Sequence, residues 1–479
     1  MENEGLIFTL SGIRGIAGKE FNFDTAKKIA IAYGSWFNGE KQVVIGRDTR
    51  PSGKFIENGI LEGLIQQDFH IINLGICPTP VIIHTKNKFN IPGAIVITGS
   101  HNPSIWNGLK LLSKHNFLSE DDLKQISTNF SKVQLSSSIP LSKKKMRKKV
   151  TNLNPIPDYV KDLYKHLDYK EIKENNNLKV AIDTGAGAGK VVTPQLLREI
   201  GCSVNVINNE LLVKNAFPRE IEPILKNLKD LVMEVWQGNY DIGFAHDSDA
   251  DRLAIVGENG MCYPEDIGLA LIAEDYLKKY TGKFDEIIFV TNIASSLRFD
   301  VIAEKYSAQI IRTSVGEMYL KEKMKNLMEN EIRSPKERLI FGGEGSCGGI
   351  IFPYFNITRD GIFAAAKIIE ILVKTGRSVS DLVSDLPTYY SKREKINIKN
   401  INVRLLMDLV KKELMDEGEE VEQVNSDLRF GKGKEWFILI HPSNTEPVIR
   451  IISEAKRESL ARVYCEATSE LVRLMIKKL

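Results

Sequence analysis

The stretch "YDIGFAHDSDADRLAIVGE" (residues 240–258) places an acidic loop between two short apolar runs. Each run is typical of a buried β-strand, and the loop carries Asp247, Asp249 and Asp251. Three carboxylates so close together repel one another unless a cation neutralises them, and oxygen-only ligands suit Mg²⁺. An EF-hand beginning at Asp247 would need glycine where the chain has Arg252, so that kind of calcium loop is excluded. We expect a magnesium site between two strands, with a solvent-exposed acidic turn as the alternative.

The same alternation of apolar strands with loops and helical segments covers most of the chain. Strands are predicted at 41–48, 69–75, 93–99, 178–185, 202–208, 241–246, 252–258, 285–292, 308–314 and 338–344. Helices are predicted at 54–67, up to about residue 200, and at 316–329. Such alternation favours α/β layers with largely parallel sheets, whose ligands bind at loops that follow strands.

Two changes of pattern divide the chain. The lysine-rich run at 143–149 has no interleaved aromatic residues, so it is interpreted as a solvated linker rather than a nucleic-acid patch. Past about residue 385 the pattern becomes that of a smaller α+β domain. The predicted fold class is α/β, with three similar mixed α/β domains around a central cleft plus a smaller C-terminal α+β domain. The predicted domains are 1–153, 154–258, 259–385 and 386–479.

Composition limits the function classes. The chain has 479 residues, and its 65 basic and 62 acidic side chains leave a net charge of +3, which argues against nucleic-acid and membrane partners. The longest apolar runs fall short of the ~20 residues that a membrane helix needs. The five cysteines form no CxxC pair, so neither a disulfide framework nor a thiolate metal site is expected. With no secretory pattern at the N-terminus, we predict a cytoplasmic protein.

A serine in the stretch "VITGSHNPSIWNG" (96–108) is a candidate reactive group. Ser100 stands where a β-branched run gives way to Gly, His, Asn and Pro. Most serines in such a place are turn formers, because their side chains hydrogen-bond the nearby backbone. A chemical role therefore requires the rest of the chain to supply a metal site, a phosphate site and a sugar site.

Further loops offer those sites. "HPSNTEPVIR" (441–450) could cradle a phosphate, and "GGEGSCGG" (342–349) could bind sugar hydroxyls through Glu344 and Ser346, although an ordinary turn explains either equally well. "DTGAGAGK" (183–190) lacks the spacing of a P-loop and is interpreted as a structural turn that helps to hold the second domain. The turns "SGIRG" (11–15) and "GRDTRPSG" (46–53) carry Arg14 and Arg47, either of which could neutralise a phosphate or form a structural ion pair.

Five of these segments, taken in order, resemble the α-D-phosphohexomutase superfamily, which includes phosphoglucomutase, phosphomannomutase and phosphoglucosamine mutase. The segments are "SGIRG", "TGSHNP", "DSDADR", "GGEGS" and "PSNTEP", and they span the whole chain. The resemblance implies an isomerase that interconverts hexose 1-phosphate and hexose 6-phosphate. Its substrate would be glucosamine, glucose or mannose phosphate, a small molecule.

The resemblance also implies roles for individual residues. Ser100 would carry the phosphoryl group and, with Asp247, Asp249 and Asp251, bind one Mg²⁺ ion. Hexose 1,6-bisphosphate would be the intermediate and activator. The other implied catalytic residues are His101 and Lys110, as proton-transfer groups, and Arg14. The implied substrate-binding residues are Arg252, Glu344, Ser346, His441, Ser443, Asn444, Thr445 and Arg450.

Two departures from the family pattern leave questions open. His441 stands where many relatives have arginine, so phosphate binding could depend on Arg450 or Lys432 instead. Gly348 stands where bacterial relatives often have histidine, which leaves the second acid or base unidentified. A sugar-phosphate phosphatase of the same fold and a non-catalytic sugar-phosphate-binding regulator remain as alternatives. The oligomeric state is not predicted.

Overall fold

The computed structural model describes residues 2–3, 5–135, 148–331, 337–399, 401–443 and 447–479. The chain forms two compact units. The first unit contains Met1–Gly268 and Gly348–Leu382, and the second contains Leu269–Cys347 and Val383–Leu479. No helix among the described residues combines the length and the apolar character that a membrane span requires.

The first unit begins with an eight-stranded mixed sheet. In spatial order its strands are Glu2–Asn3, Leu6–Thr9, Gly12–Ile16, Trp106–Leu112, Gly93–Ile97, Gln42–Arg47, His70–Ile76 and Val150–Asn152. The last four are parallel, and the others join the sheet in antiparallel pairs. Its helices are Phe23–Trp36, Gly53–Gln66, Thr79–Lys88 and Glu120–Lys132. The first, second and fourth of these helices contribute to one apolar core with the sheet.

The first unit also holds a four-stranded sheet, in which Ser203–Ile207, Lys179–Asp183 and Ile242–Ala245 are parallel and Ala254–Gly257 is antiparallel. Its α-helices are Ile156–Leu163, Tyr169–Asn175, Thr193–Glu199 and Lys229–Gln237. Short 3₁₀ turns occur at Tyr164–His166, Ala188–Val191, Val213–Asn215 and Leu225–Asn227. A hairpin, Gly349–Phe352 with Asn356–Arg359, and the helix Gly361–Thr375 complete this unit, and a short helix Val379–Ser384 follows.

Helix Ile267–Tyr280 carries the chain from the first unit into the second. The second unit has three parallel strands, Gln309–Thr313, Glu286–Asn292 and Arg338–Glu344, with helices Arg298–Lys305 and Glu317–Glu331 and a 3₁₀ turn Gly345–Cys347. It also has an antiparallel five-stranded sheet in the order Tyr390–Asn397, Val448–Ala455, Trp436–Pro442, Asp427–Lys432 and Glu422–Val424. Helices Val403–Asp416 and Glu458–Lys477 cover the apolar core of that sheet.

The predicted strands and helices agree with the structure to within a few residues, but two segments differ. The segment "SGIRG" was predicted as a turn, and Gly12–Ile16 is instead a strand. Ile13 is fully buried there, and pairing with Trp106–Leu112 supplies hydrogen bonds that the short segment cannot make alone. The strand Val150–Asn152, which was not predicted, follows the lysine-rich run directly, and of that run only Lys148 and Lys149 lie within the described residues. The division into four domains around a cleft stays a prediction.

Candidate active site

The three aspartates of the predicted metal loop converge. Asp247, Asp249 and Asp251 lie between the strands Ile242–Ala245 and Ala254–Gly257, and each offers a carboxylate oxygen within 4.8 Å of the others. All three side chains are almost completely buried. The three aspartates therefore form a buried cluster between two strands and not a solvent-exposed turn, while their binding of Mg²⁺ stays a prediction.

The two oxygens of each aspartate have different surroundings. The Oδ2 atoms accept hydrogen bonds from Ser100, Thr79 or basic side chains. The Oδ1 atoms of all three are buried and accept no hydrogen bond from the residues that the structure describes. Buried carboxylate oxygens without a donor are costly unless a cation fills the space between them. The donor set, three hard anionic oxygens, suits Mg²⁺.

The electrostatics of the triad are uneven. Burial, and then the charges of Asp251 and Asp249, raise the pKa of Asp247 well above its usual value. For Asp251 burial also raises the pKa, but Arg359, Lys110 and Arg252 outweigh it and hold the pKa of that carboxyl well below its usual value. Burial and repulsion between the carboxylates therefore destabilise the charged form of Asp247, whereas neighbouring cations stabilise the charged form of Asp251.

Tight backbone packing shapes the metal loop. Ala250, between two of the aspartates, has a left-handed backbone with φ 54°. The glycine-rich turn at 183–190 lies directly behind the loop, because Ala188 N donates to Ser248 O at 2.7 Å and a Cβ on Gly187 would lie 2.9 Å from Asp247 O. That turn therefore has the structural role predicted from its spacing.

Gly361, the first residue of helix Gly361–Thr375, packs against the backbone of the metal loop, and its amide donates to Ala250 O at 3.2 Å. A Cβ there would lie 2.4 Å from Arg252 O and 3.1 Å from Ala250 O. We expect Gly361→Ala to lower the free energy of unfolding by about 1–3 kcal/mol. Because the clash displaces the loop backbone, Mg²⁺ affinity should fall by about tenfold or more. Chemical denaturation and isothermal titration with Mg²⁺ measure the two effects.

The opposite end of the same helix provides the control. Gly376, its C-cap, has φ 62° and no atom within 4 Å of an added Cβ. Gly376→Ala should cost about 1 kcal/mol of stability through backbone strain alone and leave Mg²⁺ affinity unchanged. Equal Mg²⁺ affinities for the two variants would show that Gly361 does not shape the metal loop.

Ser100 lies at this cluster. It is buried, with 2% of its surface exposed, and its φ of 49° is left-handed. Its Oγ donates to Asp247 Oδ2 at 3.2 Å and lies 3.4 Å from His101 Nδ1. A turn hydroxyl would instead bond the backbone nearby, so the structure places the Ser100 oxygen at the acidic cluster.

Basic side chains surround the same point. Lys110 Nζ donates to Asp249 Oδ2 and Asp251 Oδ2, each at 2.8 Å. Arg252 donates through Nη2 to His101 Nδ1 at 2.8 Å, and its Nε lies 3.8 Å from Asp247 Oδ2. Arg252 first, and then burial and other arginines, lower the pKa of His101 well below its usual value, so its imidazole is neutral at neutral pH.

Arg14 lies near these cations on strand Gly12–Ile16. Burial, and then the charge of Arg252, lower the pKa of Arg14 to about 10, so it keeps its charge at neutral pH. Arg47 has a different environment, because its Nε donates to Glu57 Oε2 at 2.9 Å. The structural interpretation of Arg47 is thus favoured over a phosphate-binding one.

Two residues that contact the triad were not predicted. Thr79 Oγ1 donates to Asp249 Oδ2 at 2.5 Å, from the first residue of helix Thr79–Lys88. Arg359 Nη2 donates to Asp251 Oδ2 at 2.6 Å. Threonine and arginine at these positions carry no local signal, because the contacts join residues that lie more than a hundred positions apart.

The predicted sugar loop belongs to the second unit. Glu344 ends the strand Arg338–Glu344, is 5% exposed, and accepts from Asn292 Nδ2 and Gly316 N at 3.1 Å each. Ser346 follows in the 3₁₀ turn Gly345–Cys347 and is partly exposed. The carboxylate is therefore held in place by its neighbours, and the serine is accessible.

The predicted phosphate loop lies in the C-terminal sheet of the second unit. His441 is buried and its Nδ1 lies 2.6 Å from Asp427 Oδ1, so the imidazole is oriented by a carboxylate. Arg450 lies directly opposite His441 on the neighbouring strand, and Ser443 N donates to Val448 O at 2.9 Å. Asn444 and Thr445 lie outside the described residues.

The sequence matches three domain families. They are described as phosphoglucomutase/phosphomannomutase α/β/α domains I, II and III, and they match residues 5–136, 157–260 and 264–390. Together these matches cover most of the chain. They show three α/β/α domains, as the predicted fold class requires.

Whole proteins and solved structures agree with this assignment. The chain is 34% identical over 486 aligned positions to the phosphoglucomutase/phosphomannomutase of Thermococcus kodakarensis, covering 99% of this chain and 100% of that protein. It is 32% identical to the probable phosphoglucosamine mutase of Pyrococcus horikoshii, covering 99% of each. The fold resembles the crystal structure of a Burkholderia thailandensis phosphoglucomutase/phosphomannomutase family protein, with a TM-score of 0.80, 23% identity and coverage of 99% and 98%.

Another similar structure carries ligands. An N-acetylphosphoglucosamine mutase of Aspergillus fumigatus, in complex with GlcNAc-6P and magnesium, has a TM-score of 0.61 at 12% identity, and the match covers 98% of this chain and 96% of that one. At that identity the likeness concerns the fold alone, whereas the sequence matches over the full length decide the family. The chain belongs to the phosphoglucomutase/phosphomannomutase family of the α-D-phosphohexomutase superfamily, whose members are isomerases that act as intramolecular phosphotransferases.

Proposed function

We propose that this phosphohexomutase interconverts hexose 1-phosphate and hexose 6-phosphate through a phosphorylated Ser100 and a hexose 1,6-bisphosphate intermediate. The observation that carries the proposal is the 3.2 Å contact between Ser100 Oγ and Asp247 Oδ2, at a cluster of three buried aspartates. A serine oxygen at such a cluster is well placed to carry a phosphoryl group whose charge the cluster's cation would balance.

Asp247, Asp249 and Asp251 would hold one Mg²⁺ ion through the oxygens that accept no hydrogen bond from the described part of the chain. A phosphoryl oxygen on Ser100 would be a further ligand. When bound, the ion supplies charge neutralisation for the transferred group. Thr79, Lys110 and Arg359 donate to the Oδ2 atoms of Asp249 and Asp251, which fixes the direction in which these two carboxylates present their free oxygens.

In the first transfer, a free hydroxyl of the sugar attacks phosphorus, and the bond between phosphorus and Ser100 Oγ breaks. The hydroxyl loses a proton and the serine oxygen regains one, so a base and an acid are needed. His101, whose Nδ1 accepts from Arg252, and Lys110, which donates to Asp249 and Asp251, are the proposed proton-transfer groups. The second transfer runs the same steps in reverse, with the other phosphate of the bisphosphate returning to Ser100.

The remaining predicted residues are proposed to bind the substrate. Arg14 keeps its positive charge, the Arg252 guanidinium donates to His101 beside Ser100, and both would neutralise phosphate oxygens. Glu344 and Ser346 would accept and donate hydrogen bonds to sugar hydroxyls. The group proposed to hold the phosphate already on the sugar is His441, Ser443, Asn444, Thr445 and Arg450.

In that last group, Arg450 is proposed to supply the charge that arginine supplies in relatives at the position of His441. The supporting observation is that Arg450 stands directly opposite His441, whose Nδ1 is engaged with Asp427. The proposed substrate class is glucosamine, glucose or mannose phosphate, because similar proteins carry the names phosphoglucomutase/phosphomannomutase and probable phosphoglucosamine mutase.

The test is made on the purified wild-type protein. Intact mass and phosphopeptide mapping should show one phosphate per chain, located on Ser100. With Mg²⁺ and a trace of the bisphosphate, phosphorus NMR should show conversion of at least one of the three hexose 1-phosphates to its 6-phosphate, without free phosphate. Release of free phosphate without isomerisation would indicate a phosphatase, and binding without turnover would indicate a regulator.

A further inference from the structure

Ser248 lies between Asp247 and Asp249, but its side chain bonds to residues outside the metal loop. Its Oγ lies 2.8 Å from Ser100 O and 2.9 Å from Asp48 Oδ2, and it is 1% exposed. The hydroxyl proton is therefore shared between two acceptors of the preceding domain. Through this one group the metal loop is bonded directly to the backbone of the serine loop.

Asp48 is the centre of a buried network. Its Oδ1 accepts from Arg50 N at 2.9 Å. Its Oδ2 accepts from Thr98 Oγ1 at 2.6 Å, from Ser248 Oγ and from Arg50 Nε at 3.1 Å. A buried carboxylate with this many donors is firmly oriented, and a network of this kind is rigid when every member has its partners.

Arg50 extends the network along the serine loop. All five of its N–H groups are used, one on Asp48 and four on backbone carbonyls, and the side chain is fully buried. The four carbonyls belong to Ser100, Asn102, Pro103 and Trp106. The rigid guanidinium fork therefore holds a loop of seven residues, 100–106, in one shape.

The backbone of Ser100 is held on both sides. Its amide donates to Thr98 Oγ1 at 2.8 Å, and its carbonyl accepts from Arg50 and Ser248. A left-handed conformation, as Ser100 has, is unfavourable for a residue with a side chain and persists where the surroundings impose it. Of the groups that impose it, Ser248 alone belongs to the loop that carries the triad.

We propose that Ser248 is a positioning residue for phosphoryl transfer, which keeps the Ser100 oxygen aligned with the aspartate triad by bonding the two loops together. This inference rests on the proposed phosphoserine function. Loss of the Ser248 hydroxyl leaves the triad, the basic side chains and Ser100 in place but removes the bond from the metal loop to the backbone carbonyl of Ser100. The side-chain contacts of Ser100 with Asp247 and of His101 with Arg252 remain. A small displacement of reacting groups lowers the rate of the chemical step more than it weakens substrate binding.

The experiment compares Ser248→Ala, Ser248→Cys and Ser248→Thr in the full chain. For Ser248→Ala we expect kcat to fall about 10- to 100-fold with KM changed less than about threefold. Ser248→Thr, which keeps a hydroxyl, should recover most of the rate, and Ser248→Cys, with a weaker donor, should be intermediate. Hydrogen–deuterium exchange of residues 99–106 should rise as kcat falls, and should be lowest for Ser248→Thr, intermediate for Ser248→Cys and highest for Ser248→Ala. If the alanine variant does not fold, the cysteine and threonine variants still give the ranking.

Thr85→Val is the control. Thr85 is equally buried in the same unit, but its Oγ1 donates to Val81 O within its own helix. Its loss should lower the melting temperature without changing kcat or the exchange of residues 99–106. Melting temperatures that fall in all variants while kcat stays constant would overturn the positioning role.

Intact mass of each protein separates this inference from the proposed function. A wild-type protein that never carries phosphate on Ser100 contradicts the phosphoserine function itself, whatever the Ser248 variants do. A phosphorylated Ser248→Ala protein with normal kcat contradicts only the role of Ser248. A phosphorylated variant that transfers its phosphate slowly supports both.

Discussion

Replacing Ser100 by alanine is expected to lower kcat for hexose phosphate isomerisation by at least about 10⁴-fold, since in the proposed mechanism this oxygen accepts and returns the phosphoryl group. The loop should survive the change, because its bonds run through the backbone amide and carbonyl of residue 100. Alanine also tolerates the conformation, as Ala250 shows with φ 54°. Stopped or continuous coupled assays and intact mass measure the loss of rate and of protein-bound phosphate.

Ser104→Ala is the matched control for that result. Ser104 lies in the same loop and is exposed. Its loss should leave kcat within about twofold, as surface substitutions away from a site usually do. Near-normal isomerisation by the Ser100→Ala protein, or phosphate that persists on another residue of it, would refute the phosphoserine mechanism.

Replacing Asp249 by asparagine is expected to lower kcat by at least about 10³-fold, because it would remove one anionic ligand of the proposed Mg²⁺ ion, and such an ion supplies several kcal/mol of transition-state stabilisation. Mg²⁺ affinity, measured by calorimetry, should fall as well. Removal of divalent cations with EDTA should abolish the activity of the wild-type protein, and added Mg²⁺ should restore it. The same addition of Mg²⁺ should not restore wild-type activity to Asp249→Asn.

Although the kcat of Asp249→Asn should fall, the stability of the metal-free variant should stay equal to that of the metal-free wild type or increase. Asp249 contributes to the repulsion that raises the pKa of Asp247. Asparagine keeps the shape and removes the charge, while Lys110 keeps Asp251 as a partner. The metal-free variant should therefore unfold at a temperature equal to or higher than that of the metal-free wild type. Such a gain is common where an active site holds like charges close together at a cost in stability.

Asp121→Asn is the control for loss of a carboxylate. Asp121 is exposed in the first turn of helix Glu120–Lys132, and its replacement should leave kcat and Mg²⁺ dependence unchanged. If Asp249→Asn retains activity with an unaltered Mg²⁺ requirement, the triad is not the metal site.

The alternation of strands and helices could be predicted because it depends on local patterns of apolar residues. Strands such as Glu286–Asn292 and Lys179–Asp183 were predicted within a residue or two. Gly12–Ile16 was missed, because with two glycines and an arginine it has little strand propensity of its own and is paired on both sides, with Leu6–Thr9 and with the distant strand Trp106–Leu112. Local propensity is weak there, and the distant partner decides.

Some residues of the candidate site could likewise be predicted from the sequence, and others could not. Asp247, Asp249 and Asp251 could be identified because three carboxylates two positions apart are chemically unusual. Thr79 and Arg359 could not, because threonine and arginine are common and nothing near them in the sequence marks a role.

The sequence by itself determined the α/β class, the loop with three aspartates and the candidate serine, since each depends on a contiguous run of residues. Tertiary structure alone decided which way the side chains of those runs point. The left-handed turn at Ala250 brings the three aspartates to one point, and the chain bonds Ser248 to the serine loop and Arg50 to four of its carbonyls. The physical reason is that the contacts of Ser248 and Arg50 with the serine loop join residues far apart in the sequence, and their geometry exists only once both loops are folded against each other.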